Sequence, residues 1–268
     1  MGRLRLFGSN VRAGFAGVAR PRPANARRLI WPARDRLAFG ALIALLCVAA
    51  AMMLIDSPSL DQVGRLPAPL IVLFEDITDL GLSGWFLFPT AVALLVIAAV
   101  DRASAPRFVR STLGALAVRF GFVFTAVAMP GLFVTVMKRL IGRARPADQG
   151  TWTYVGFDLR HEYASMPSGH ATTAFSAAVA IGALWPQARP AMWIYAVVIA
   201  VSRIIVSAHH PSDVLVGAIV GTIGALLVRR WFAERRLGFA VGTDGLVHRL
   251  PGPSWRRLKA VARRLWSA

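Results

Sequence analysis

The chain of 268 residues has one cysteine, Cys47, only 13 acidic residues and a charged fraction of 16%. A single cysteine forbids an intrachain disulfide, and its place inside an apolar run argues against a cysteine-based metal site. Charge this scarce, beside 56% hydrophobic residues, excludes a disordered chain and disfavours an ordinary soluble domain or soluble metalloenzyme. The few acids are outnumbered by 31 lysines and arginines, a formal charge of +18. Nucleic-acid binders are also basic, but they carry their charge as a stripe on a soluble fold. Here the basic residues stand in short clusters between long uncharged runs, which is the pattern of an integral membrane protein. No nucleic-acid partner is expected.

Six apolar segments are present, at residues 37–55, 82–100, 121–137, 171–185, 190–207 and 214–228. Each of the first two would rise roughly 28 Å as a helix, enough to cross a bilayer. Pro130 inside the third predicts a kink, and Arg203 interrupts the fifth. The last three are short only because Ser168, His170, Arg203, His209 and Asp213 stand at their ends. The expected fold is all-α, a bundle of six transmembrane helices over 37–230. A basic N-terminal tail at 1–36 and a basic C-terminal tail at 231–268 flank it.

Charge gives the orientation. Residues 1–36 hold nine arginines and one acid, and residues 229–268 hold ten basic residues and two acids. The turn after the second span has Arg102, Arg107 and Arg110 against Asp101. The first connection carries Asp56, Asp61, Glu75, Asp76 and Asp79 against Arg65. The positive-inside tendency puts both termini in the cytoplasm, as an even number of spans requires. The acid-free start also resembles an organellar transit sequence, and Arg27-Arg28 a twin-arginine signal. A cytoplasmic tail before an uncleaved first helix is the preferred expectation. Near the other end Trp255, Leu258, Ala262 and Leu265 recur close to helical spacing, among Arg256, Arg257, Lys259, Arg263 and Arg264. That spacing predicts a basic amphipathic helix on anionic lipid, with a disordered basic tail as the alternative.

Three clusters break the apolar pattern. The first runs from Lys138 through Arg139, Arg143 and Arg145 to Pro146, at the end of the third span. The second is Pro167-Ser168-Gly169-His170, opening the fourth. The third is Ser202-Arg203, five residues, His209, three residues and Asp213, bridging the last two. With the termini inside, the order of spans brings all three clusters to the outer face. The third connection then breaks the charge rule, because Lys138, Arg139, Arg143, Arg145 and Arg160 all lie outside. Cations against the topological bias predict capture of an anion; anchoring at lipid phosphates is the competing explanation. Ser168 is placed to cap a helix start, where free N–H groups and a close approach at Gly169 favour phosphate, although plain capping would look the same. Pro211 suits the first turn of the last helix. A carboxylate at Asp213 would hold one nitrogen of His209 and leave the other as nucleophile or base. Asp213 acting only as a cap is the alternative, and His210 competes with His209. Arg143 competes with Arg145 for phosphate.

Taken together the clusters resemble the phosphatidic acid phosphatase type 2 (PAP2) superfamily, which includes lipid phosphate phosphatases and vanadium haloperoxidases. Its pattern is Lys, six residues, Arg-Pro; then Pro-Ser-Gly-His; then Ser-Arg, five residues, His, three residues, Asp. Every position matches in order from Lys138 to Asp213, about a third of the chain. The six-span layout extends the likeness, while residues 1–36 and 235–268 have no counterpart. The resemblance implies that Lys138, Arg145 and Arg203 hold the phosphate oxygens with Ser168 and the Gly169 amide. His209 attacks phosphorus to form a phosphohistidine, and Asp213 orients it. His170 protonates the leaving oxygen and then activates water. No metal and no cofactor are implied, and a bell-shaped pH dependence is expected. His161 and Glu162, ahead of the second cluster, are candidate head-group contacts, and Trp152 and Tyr154 are candidate interfacial aromatics.

The expected activity is therefore hydrolysis of a phosphorylated lipid in a bacterial inner membrane, with the site on the periplasmic side. Candidate substrates are an isoprenyl diphosphate (slightly preferred), phosphatidate, phosphatidylglycerol phosphate and a lipid A phosphate. A phosphotransferase using the same pocket is the main rival. A haloperoxidase fits six spans poorly, and a non-catalytic lipid transporter leaves the spacing of His170, His209 and Asp213 without a purpose.

Overall fold

The computed structural model describes residues 2–19, 34–101, 105–147 and 150–266, so Arg27-Arg28 and Arg102 lie outside the described residues. The elements are α1 (Gly2–Val18), α2 (Arg34–Leu54), α3 (Asp56–Val63), α4 (Ala68–Asp79), α5 (Gly84–Ala99), α6 (Arg107–Ile141), α7 (Gly169–Leu184), α8 (Arg189–Ile205), α9 (Pro211–Glu234), β1 (Phe239–Val241), β2 (Val247–Arg249) and α10 (Trp255–Trp266). The protein is thus almost wholly helical. The short antiparallel pair β1–β2 has no forewarning in the sequence, because three-residue strands are too brief for an alternation to register.

Five stretches are long and apolar enough to cross a membrane: Arg34–Leu54, Ala68–Ala99, Arg107–Ile141, Pro186–Ile205 and Pro211–Glu234. Phe39, Leu45 and Leu46 of α2 are exposed, a surface that hydrocarbon solvates and water does not. The chain is an integral membrane protein. The remaining apolar helix, α7, has 16 residues, short of the about 20 that a span needs. Eleven of them are buried by protein. A helix apolar on every face is what an interior position demands.

Two expectations change. The first connection is not a polar loop. It folds as α3 and α4, and α4 joins the second apolar stretch because Ile71–Phe74 form an unbroken apolar run ahead of its acids. The third helix starts well before residue 121, and Arg107 and Arg110 belong to it rather than to a turn. Its early part is amphipathic, with Val109 and Leu113 buried four apart while Arg107 and Arg110 stay exposed. The helix passes through Pro130.

The described chain forms two compact units. One comprises the described parts of Met1–Ile30, Leu87–Thr125 and Val228–Ala268, the other those of Trp31–Phe86 and Ala126–Leu227. In the first, Phe122 meets Phe232 and Phe239 edge-on at centroid distances of 5.3 and 4.7 Å. Val261 of α10 is buried with Ile97, Val109 and Leu113. In the second, Ala174 and Ala178 of α7 pack on Ala196 and Ile199 of α8. Gly217 and Gly221 let α9 lie directly on α7: a Cβ on Gly217 would stand 2.5 Å from the Ser168 carbonyl, and one on Gly221 would strike the Thr172 carbonyl. All three sequence clusters belong to this second unit.

Candidate active site

Local rules build each cluster. Helix α6 stops at Gly142, whose φ of +60° is left-handed and whose N–H donates to the Lys138 carbonyl at 3.2 Å. A Cβ at Gly142 would overlap the Gly156 carbonyl, so only glycine turns the chain here. Lys138 thereby stays on the last helical turn. The chain leaves extended, with Arg143 bridged to Tyr154 and the Arg145 N–H donating to the Glu162 carbonyl at 2.8 Å. The gap of six residues is one helix end plus a short extended segment.

Ser168 is the N-cap of α7, its Oγ accepting weakly from the Ala171 N–H at 3.5 Å. Gly169 and His170 follow as the first helical residues, whose N–H groups have no acceptor within a helix. A Cβ on Gly169 would stand 3.5 Å from Lys138 Nζ, so the ammonium lies against the helix start. The His170 ring packs on Gly81, where a Cβ would come within 3.0 Å of its Cδ2.

At the end of α8 the N–H of Ser207 donates to Ile204 O at 2.9 Å and that of Ala208 to Arg203 O at 3.1 Å. This is a Schellman closure with Ser207 at φ +51° in the position usually given to glycine. The His209 N–H also donates to Arg203 O, at 3.2 Å. The five-residue interval between Arg203 and His209 is the length of that closure. Pro211 then opens α9, and Asp213 reaches back so that its Oδ2 accepts the His210 N–H at 2.9 Å, half of a capping box.

The three clusters converge on His209, which is 3% exposed. Burial, then Arg145, Arg203, Lys138 and His170, hold its imidazole well below the ordinary histidine value, so it is neutral. Arg145 is fixed by donation to the carbonyls of Ala208 at 3.2 Å and His161 at 3.1 Å, with the His161 ring 3.1 Å from its Nη2. Arg203 Nη1 donates to Thr78 Oγ1 at 2.6 Å. His161 therefore braces the Arg145 side chain, and the Glu162 carbonyl holds the Arg145 main chain.

Asp213 Oδ2 is 3.9 Å from His209 Nδ1, within ion-pair range but beyond a hydrogen bond, and Nδ1 has no hydrogen-bond partner. The carboxylate is held otherwise: Oδ1 accepts from Arg143 Nη1 at 2.7 Å and Oδ2 from Ser165 Oγ at 2.6 Å. Arg143 has no exposed surface and also donates to Asp56 Oδ2 at 2.8 Å, to Ser212 Oγ at 2.7 Å and to the Thr151 carbonyl at 3.0 Å. Burial alone would lower its pKa, but Asp213 and Asp56 outweigh that and raise it. Arg143 is thus a buried cation held by two carboxylates, a hydroxyl and a carbonyl. The rings of the two histidines part company as well. His210 feels Asp213, Arg143 and Asp56, whereas His209 faces the cationic pocket.

Sequence reasoning did not find Asp56, Thr78, Gly81 or Ser165. Asp56 is one acid among five in its segment, and the other three carry no local signal. Among the described residues no group of three or more His, Cys, Asp or Glu is placed to hold a metal ion.

With this geometry in view, residues 119–237 match the family model described as PAP2 superfamily. The chain is 33% identical over 213 residues to the lipid A 1-phosphatase of Rhizobium johnstonii, covering 76% of this chain and 84% of that protein. It is 33% identical over 137 residues to the decaprenylphosphoryl-5-phosphoribose phosphatase of Mycobacterium tuberculosis, covering 51% of this chain and 70% of that one. Among solved structures, Aquifex aeolicus LpxE is similar with a TM-score of 0.47 and 23% identity, covering 66% of this chain and 95% of that one.

Proposed function

The chain belongs to the PAP2 superfamily, and from that premise we propose that it hydrolyses the phosphate of a membrane lipid, with lipid A 1-phosphate the first substrate to test. The observation that carries this is the convergence of Lys138, Arg145 and Arg203 on a nearly buried, neutral His209 beside the start of α7. Three cations gathered round a helix start and a neutral imidazole suit a multiply charged anion such as phosphate. The preference for lipid A phosphate over an isoprenyl diphosphate rests on the Rhizobium relative, most of whose length this chain covers.

In the proposed reaction Nε2 of His209 attacks phosphorus in line, because Nδ1 faces Asp213. An N–P bond forms as the P–O bond to the lipid breaks, and His170 gives the departing oxygen its proton. His170 then takes a proton from water, whose oxygen attacks phosphorus and returns the electron pair of the N–P bond to His209. The three cations and the Ser168–Gly169 helix start hold the non-bridging oxygens and offset the charge spread over them, without a metal. The proposed setting is a bacterial inner membrane, with six spans when α7 is counted and the pocket on the outer side. Helix α10 lies on anionic inner-leaflet lipid through its arginines, with Trp255 and Trp266 exposed.

Phosphate release in detergent with EDTA present, from the four candidate lipid classes, tests this reading. The expected result is release from lipid A 1-phosphate that survives EDTA and falls about 10⁴-fold or more in His209→Ala, with His170→Ala also inactive. Folded wild type that releases phosphate from none of the four, yet passes it to an added lipid or sugar acceptor, would overturn hydrolysis in favour of transfer.

A further inference from the structure

We infer that Arg143 and Asp56 are positioning residues for the hydrolysis proposed above, on which this inference rests: they pin one oxygen of Asp213 so that the other stays poised between Ser165 and His209. Arg143, Asp56, Ser165, Ser212 and Asp213 are all without exposed surface. The two carboxylates come from the first residue of α3 and the first turn of α9, and Arg143 joins them at 2.8 and 2.7 Å. Asp56 also receives the Ser212 N–H at 2.9 Å and its hydroxyl at 2.6 Å, so it is tied to the same helix start. Two carboxylates against one guanidinium leave the cluster with one negative charge in excess. The atom nearest the pocket is Asp213 Oδ2, 3.9 Å from an imidazole nitrogen that has no hydrogen bond.

That arrangement suits a nucleophile whose charge changes during the reaction. In the free protein the groups facing His209 are Lys138 from α6, His170 from α7, Arg203 from α8, Asp213 from α9 and Arg145 from the extended segment. The cations among them favour the neutral ring. Once His209 forms its bond to phosphorus the ring becomes cationic, and Nδ1–H needs an acceptor. Oδ2 must approach by about 1 Å to reach hydrogen-bond distance. It gives up Ser165 Oγ to do so, while Arg143 keeps Oδ1 in place. Arg143 and His209 thus share one carboxylate, and Arg143 limits how strongly Asp213 draws a proton onto the resting histidine.

The chain has five histidines, so ¹⁵N-histidine spectra in detergent micelles follow His209 directly, with His209→Gln providing the assignment. In Arg143→Gln the titration of His209 moves to higher pH, because Asp213 loses its competing cation, and kcat falls about tenfold or more with KM little changed. Asp56→Asn leaves Arg143 to neutralise Asp213 alone, so the titration does not rise although kcat falls. Ser165→Ala removes one of the two hydrogen-bond donors to Oδ2, leaving the His210 N–H, without altering any charge, and also moves the titration upward; it carries the test should Arg143→Gln fail to fold. His209 titrating as in wild type in folded Ser165→Ala, or in folded Arg143→Gln, overturns the inference. So does a rise in KM matching that of an Arg145 variant, which would make Arg143 a phosphate ligand. The titration is read without turnover, so failure of the phosphatase reading shows separately, as absent phosphate release by wild type.

Discussion

Arg143 and Arg145 are separated by one alanine on the same extended segment, yet they serve opposite electrostatic regions. Arg143 enters a sealed cluster where two carboxylates, one serine hydroxyl and a carbonyl accept from it. Arg145 enters a pocket with Lys138 and Arg203, where it donates to the carbonyl oxygens of His161 and Ala208 and lies beside the His161 ring. Carbonyl dipoles fix a guanidinium in space without cancelling its charge. Carboxylates cancel it and leave nothing for a ligand. An arginine close to a buried histidine is therefore no guide to function until the groups around it are known, since a buried ion is costly unless it is paired.

Arg145→Met is expected to break the pocket side of this contrast, lowering kcat/KM by about 10²–10³-fold. The sign of the pH effect follows from its place beside His209. In the proposed reaction His209 must be neutral, and Arg145 is the foremost charge, after burial itself, holding its proton affinity down. Removing that charge raises the proton affinity, so the acid limb of kcat/KM moves toward higher pH. A pH–rate profile with an unmoved acid limb would separate Arg145 from His209.

A smaller effect is expected from Gly221→Val, which disturbs the support common to both regions. The new side chain meets the Thr172 carbonyl, which cannot rotate away, and pushes α9 off α7. Overpacking of this kind costs about 1–3 kcal/mol, to be read as a lower unfolding temperature in detergent together with reduced kcat. An unchanged unfolding temperature would mean that the contact yields. The smallest effect belongs to Asp158→Asn. Its bond to Arg160 is 2.7 Å long, as short as that between Arg143 and Asp213, but the arginine is largely in solvent. Water and salt screen such a pair, so neither unfolding temperature nor phosphate release should change. A clear loss would show that the segment around residue 158 shapes the pocket.

What could be read in advance follows the range of each interaction. The apolar runs anticipate α2, α8 and α9 well, because a span is a property of consecutive residues. Helix α4 was hidden by the acids at its end, and the first half of α6 by basic residues on its exposed face. The pocket spacings were legible as a family pattern, and the structure shows each to be one local motif: a glycine-ended helix before Arg145, a serine-capped start before His170, a Schellman closure before His209. Asp56 was not legible. Its bond to Arg143 spans 87 residues of chain, and no periodicity distinguishes it from neighbouring acids.

The sequence by itself determined the membrane helices, the three clusters and their common family pattern, since hydropathy, capping and helix termination act within a few residues. Only the tertiary structure decided which arginine is neutralised, which histidine faces the cations, and that Asp213 answers first to Arg143 and only at 3.9 Å to His209. Those outcomes depend on burial and counter-charge, and both come from segments far apart in the chain that meet only when α3, α7 and α9 are packed.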